Sequence, residues 1–95
     1  MEIIIKFSRS NNQPLGIRLS GGADYSFPLT VVRLAIGGLA DQAGLRAGDL
    51  VIKINGETIQ HLTHNEVHER LAKVGNQFTL NVLRNLKFER ATKQE

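Results

Sequence analysis

The residues of this 95-residue chain best placed to do chemistry are Pro14-Leu15-Gly16-Ile17 and three histidines, His61, His64 and His68. A glycine between two aliphatic residues lets the backbone turn sharply, and successive uncovered N–H groups in such a turn form a nest for an anion. Arg18-Leu19-Ser20-Gly21-Gly22 follows directly. If this stretch runs on as an uncovered strand edge, nest and edge together can grip the C-terminus of an extended peptide. The same four residues also fit an ordinary strand start or bulge, and by themselves they leave both readings open.

His64 and His68 are one helical turn apart, a spacing that can bind zinc. The metalloprotease pattern needs a glutamate directly after the first histidine. Here Glu66 stands two places after His64 and points elsewhere on the helix, and no third ligand is evident. The serines lack a G-x-S-x-G elbow. Gly21-Gly22 has neither phosphate-loop spacing nor the Lys-Ser/Thr that follows it. The expectation is therefore no catalytic residue, no metal site and no cofactor: the chain does not read as an enzyme.

Composition points the same way. Ninety-five residues make one small domain, and 41% apolar content is enough for one modest core. There is no cysteine, which excludes disulfides and thiol chemistry and fits a reducing compartment such as the cytosol. No apolar run approaches the ~20 residues that span a bilayer, and no signal peptide is visible. The net charge is +3, from 12 Lys+Arg against 9 Asp+Glu. The basic residues are scattered apart from Arg84, Lys87, Arg90 and Lys93, and no aromatic stacking platform accompanies them, so nucleic acid is not an expected partner. Attraction to acidic partners or to anionic lipid stays open, and a membrane-surface module is the alternative reading.

The elements that must hold these residues follow from periodicity. Glu2 to Phe7 is isoleucine-rich and reads as a strand. Gly16 to Ser20 reads as a second, with Leu15, Ile17 and Leu19 on one face and Arg18 and Ser20 on the other. Leu29 to Leu34 is a third. Leu39 to Ala43 makes a short helix stopped by Gly44. Asp49 to Ile54 alternates as Leu50, Ile52 and Ile54 with Val51 opposite. Asn55-Gly56 is a hairpin signal, and Glu57 to Ile59 starts the return. Thr63 with Glu66 makes a capping box for a helix from His64 to about Lys73, ending at Gly75. Val67, Leu71 and Val74 form its apolar stripe. Phe78, Leu80 and Val82 mark the last strand. Asn85–Glu95 reads as a polar tail or linker after a domain spanning 1–84. Many short strands with two helices indicate a small antiparallel sandwich or barrel capped by helices.

In order along the chain, Pro14-Leu15-Gly16-Ile17, Gly37-Gly38-Leu39-Ala40, the A-G-x-x-x-G-D run from Ala43 to Asp49, Ile52-Lys53-Ile54-Asn55-Gly56 and Thr63-His64 resemble a PDZ domain from about Met1 to Arg84. Within that family, the first loop with Ser20-Gly21-Gly22, Asp24 and Phe27-Pro28-Leu29 looks most like the N-terminal domains of the ALP, Enigma and ZASP group of PDZ-LIM proteins. Leu15 and Ile17 depart from that group's usual loop, which carries a bulky aromatic and a phenylalanine there.

The resemblance implies an α+β, mostly β fold: an antiparallel sandwich or partly open barrel of five to six strands capped by one short and one long helix. It implies recognition of the free C-terminus of partner proteins by strand addition between Gly16–Ser20 and the long helix, in a scaffold or cytoskeletal adaptor. Leu15, Gly16 and Ile17 would bind the terminal carboxylate. Leu15, Ile17, Leu19, Val67 and Leu71 would line the pocket for the last side chain, with plain core packing as the other role open to each. His64 would select Ser or Thr at the third residue from the end, where the residues alone also allow a solvated helix-start histidine. Arg18, Ser20 and His68 would form the groove rim. The implied partners are C-terminal tails, among them α-actinin and other actin-associated proteins, in a cytoplasmic, cytoskeleton-associated setting.

Overall fold

The computed structural model describes residues 1–84. The expected tail Asn85–Glu95 lies outside the described residues. In chain order the elements are β1 (Glu2–Ser8), β2 (Ile17–Ser20), β3 (Thr30–Leu34), α1 (Leu39–Ala43), β4 (Leu50–Ile54), β5 (Glu57–Thr58), α2 (His64–Lys73) and β6 (Gln77–Leu83). All strand pairings are antiparallel, in the order β1-β6-β4-β3-β2, with β5 on β4. This is the expected α+β arrangement of six strands and two helices. Because β2 ends the path, one of its edges has no strand partner among the described residues.

The core forms where the apolar faces of strands and helix meet. Phe78, Leu80 and Val82 of β6 alternate inward and are all buried, as their spacing predicts. Phe7 and Phe78, paired across β1 and β6, stack with ring centroids 4.8 Å apart. Val67 of α2 is buried, and Leu71 and Val74 pack against the core from the same stripe. No helix among the described residues is long and apolar enough to cross a membrane.

One expected pattern fails. Leu50, Ile52 and Ile54 do not share the buried face of β4 against Val51. Val51 and Ile54 are both in the core, at 4% and 1% exposure, while Leu50 and Ile52 are half-buried. The β4–β6 register shifts between Val51 and Lys53. An irregularity of this kind inserts a residue into the ladder and reverses the alternation beyond it.

The local signals do their expected work. The Asn55-Gly56 hairpin has positive φ at both residues, 51° and 79°. Gly44 ends α1 in the left-handed conformation, φ 102°. The Thr63 hydroxyl accepts the Glu66 N–H at 3.2 Å while the Glu66 carboxylate accepts the Thr63 N–H at 2.8 Å, completing the capping box that starts α2 at His64.

Asp49, which closes the glycine-rich run after α1, is 1% exposed. Its two carboxylate oxygens accept from Arg84 Nε at 2.9 Å and Nη2 at 2.7 Å, and Oδ2 also accepts the Arg46 N–H at 2.9 Å. Arg84 Nη2 donates further to the Gly44 carbonyl at 2.9 Å. This charge-assisted network ties the turn after α1 to the end of β6.

Candidate functional site

Two hydrogen bonds explain why the Pro14–Ile17 loop presents donors. Ala40 N–H, in the first turn of α1, donates to the Leu15 carbonyl at 2.9 Å, and Ala35 N–H, just past β3, donates to the Gly16 carbonyl at 2.8 Å. In a trans peptide unit the C=O and the next N–H point in opposite directions. With both carbonyls turned into the scaffold, the N–H groups of Gly16 and Ile17 turn away from it. Among the described residues, neither the Leu15 nor the Gly16 N–H has a hydrogen-bond partner.

The Ala35 to Gly16 bond also marks Ile17↔Leu34 as a non-hydrogen-bonded pair, so the polar groups of Ile17 face the unpaired edge of β2. Gly16 itself precedes the strand rather than belonging to it, with φ +75°, and an added Cβ would sit 3.2 Å from the Ala35 Cβ. Glycine is the residue that makes this turn without strain.

A groove of about 380 Å³ opens beside that edge. The loop residues Leu15, Gly16 and Ile17 line it with Leu19 of β2, and His68, Leu71 and Ala72 of α2 face them. The structure thus brings together Leu15, Ile17, Leu19 and Leu71 of the expected pocket. It does not bring Val67 there: Val67 is 1% exposed, lies in the core beneath the helix, and is absent from the groove lining. The reason is position along the helix rather than phase: Val67 and Leu71 share one stripe, but the stripe is fully covered by the core at Val67 and opens to the groove one turn later at Leu71. Arg18 and Ser20 alternate onto the opposite face of β2 from Ile17 and Leu19. Of the rim residues, only His68 lines the groove.

His64 stands at the first position of α2, half-buried. Its N–H donates to Asp24 Oδ1 at 2.9 Å, and its ring Nδ1 lies 2.8 Å from the Gly21 carbonyl. A carbonyl only accepts, so the hydrogen-bond network assigns a ring proton to Nδ1, and in the tautomer with that single proton Nε2 is the acceptor. His68 Nε2 lies 3.1 Å from that nitrogen and donates to it. Tyr25 flanks the His64 ring at 5.4 Å between centroids. His61 is exposed and outside this pair. Among the described residues no group of three or more His, Cys, Asp or Glu side chains converges as a metal site does.

Sequence reasoning missed Arg9. It lines the groove at the loop end, with Nε donating to the Gly75 carbonyl at 2.9 Å and Nη1 to the Gln13 carbonyl at 3.2 Å. Its guanidinium sits 5.2 Å from the centre of the Phe78 ring. The signal was a lone cation in an otherwise polar loop, but the partners that hold it come from the far end of the chain.

The arrangement places backbone donors, a basic side chain and an apolar cleft side by side along the outer edge of β2. The chain is 42% identical over 80 residues to the PDZ and LIM domain protein Zasp of Drosophila melanogaster, covering 84% of this chain and 4% of that protein. It is 44% identical over 71 residues to PDZ and LIM domain protein 7 of Gallus gallus, covering 75% of this chain and 17% of the relative. Identity is also 44% over 71 residues to PDZ and LIM domain protein 4 of Homo sapiens, covering 75% of this chain and 22% of that protein. The chain thus spans only a small part of these relatives. Among solved structures, the PDZ domain of a choanoflagellate SHANK1 bound to a GIRK3 peptide superposes with a TM-score of 0.81 at 25% identity, over 92% of this chain and 96% of that one. The PDZ domain family model matches residues 4–83, so this chain, a protein-interaction module by its relatives, belongs to the PDZ family.

Proposed function

We propose that this domain binds the free C-terminus of partner proteins by adding the partner's last residues as a strand to β2. The observation that carries this reading is the pair of unpartnered N–H groups at Leu15 and Gly16, opening onto the unpaired edge of β2. These donors and that of Ile17 take the terminal carboxylate, and Arg9 adds a positive charge at the same end of the groove. Bonds to a charged group contribute about 1.5–3 kcal/mol each in favourable cases. The final side chain enters the apolar cleft between Leu15, Ile17, Leu19 and Leu71, where each buried methylene is worth ~0.8 kcal/mol, so Val, Ile or Leu is preferred.

His64 supplies the second selection. Its Nε2 lone pair accepts a Ser or Thr hydroxyl at the third residue from the ligand's end, giving the class Ser/Thr-x-aliphatic-COOH. The peptide-bound SHANK1 neighbour supports peptide recognition by this fold. The PDZ-LIM relatives support a role as a scaffold or cytoskeletal adaptor, with tails of α-actinin and other actin-associated proteins as the partners to test first.

Titration with a fluorescent peptide ending Thr-x-Leu-COOH should saturate with micromolar affinity, about −8 kcal/mol. Amidation of the terminus should remove most of the binding. Equal affinity for acid and amide overturns the carboxylate nest.

A further inference from the structure

Arg18 of β2 and Arg33 of β3 are direct cross-strand partners, so two cationic side chains stand on one face of the sheet. Like charges in that relation destabilise a sheet. Both are exposed, and among the described residues neither guanidinium has a hydrogen-bond or ion-pair partner. With Gly16, Ile17, Leu34 and Ala35 they line a second, shallow cleft of about 240 Å³ that backs onto the loop. A pair of this kind, beside a strand edge that has no neighbour among the described residues, would be relieved by an anion that arrives with a ligand.

The strand geometry identifies which anion. This inference rests on the strand-addition reading above. A carboxylate held by the Ile17 N–H puts the ligand's last residue opposite Ile17, its penultimate residue opposite Arg18 and its third-from-last opposite Leu19. Side chains alternate between faces, so the last and third-from-last project toward α2 while the penultimate one projects onto the face of Arg18 and Arg33. We propose that Arg18 and Arg33 act together as a specificity clamp for an acidic side chain, Asp or Glu, at the penultimate position of the bound C-terminus. Arg18 lies beside that side chain on the neighbouring strand. Arg33, one strand further, adds its charge over a long and flexible reach.

The test uses peptides that differ only at the penultimate residue, ending Thr-Asp-Leu, Thr-Asn-Leu and Thr-Lys-Leu with free carboxylates, and the Thr-Asn-Leu amide. The native domain should prefer Asp to Asn by about five-fold, with Lys weakest, as expected for an exposed pair strengthened by a second cation. The preference should shrink in 1 M salt, where the screening length falls to about 3 Å. Arg18→Gln with Arg33→Gln should bring the Asp-to-Asn affinity ratio to one, and Arg18→Glu with Arg33→Glu should reverse the preference in favour of Lys. Melting curves of these surface variants should match that of the native domain.

If all three free acids bind alike and the amide does not, the clamp is wrong and the carboxylate nest stands. If acid and amide bind alike, both readings fall. Sedimentation with phosphatidylserine vesicles that depends on Arg18 and Arg33, without any preference among the peptides, overturns the clamp in favour of a lipid surface.

Discussion

His68 Nε2 donates to His64 Nε2 across one turn of α2, at 3.1 Å, so the acceptor nitrogen that a ligand hydroxyl needs is already engaged in the free domain. A Ser or Thr hydroxyl must therefore displace His68. Net hydrogen bonds are worth about 0.5–1.5 kcal/mol. His68→Ala should raise the affinity ratio of Thr-x-Leu to Val-x-Leu peptides by about three-fold, and His64→Ala should lower it by a similar factor. Calorimetric titration of both peptides against each variant checks this. An unchanged ratio in His64→Ala means the ring acts by packing alone.

Leu71 and Val67 share one helical stripe but face different environments, and their truncations should separate. Leu71→Ala removes a groove wall and should cost Leu-ended peptides about ten-fold, three methylene-equivalents at ~0.8 kcal/mol each being partly recovered by the exposed surface. Its effect on melting should be small. Val67→Ala leaves a core cavity and should cost about 2 kcal/mol of stability. Paired thermal melts and peptide titrations give the two readouts; a large affinity loss in folded Val67→Ala would place that side chain in the groove after all.

Gly22 sits against the start of α2, with φ +139° and an added Cβ only 2.8 Å from the His64 nitrogen. Gly22→Ala must push α2 away from the β2–β3 connection and accept a strained backbone, at about 1–3 kcal/mol. Both melting temperature and peptide affinity should fall. Gly37→Ala is the contrast: its φ is +76° but no atom of the described residues lies within 4 Å of the new Cβ. It should lower stability by about 1 kcal/mol and leave the affinity intact.

Asp49→Ala removes the carboxylate that accepts from Arg84 Nε and Nη2 and releases the turn after α1. Breaking one side of a buried ion pair costs about 3–5 kcal/mol, and Arg84 is only 11% exposed. Urea unfolding should show a lower midpoint with an unchanged slope. Asp49→Asn retains acceptor geometry on one oxygen and should fall between the two.

How much of this was legible beforehand divides along physical lines. The capping box at Thr63 and Glu66, the Gly44 stop and the Asn55-Gly56 hairpin are set by interactions within a few residues, so the sequence displays them directly. The irregularity in β4 was not legible, because the register shift at Val51 depends on how β4 meets β6. The same holds for Arg9, whose partners include Gly75 and Phe78, and for the pairing of Arg18 with Arg33, which exists only once β2 and β3 align.

The chain on its own determined the element types and order, the family resemblance, and the loop and helix that bound the groove. It could not determine which members of an apolar stripe line a cleft and which vanish into the core, as Leu71 and Val67 show. Nor could it say that the N–H groups of Gly16 and Ile17 would be turned away from the scaffold. Those outcomes depend on Ala35 and Ala40 reaching back to claim the loop carbonyls, and contacts between distant segments are chosen by the packing of the whole domain rather than by any local run of residues.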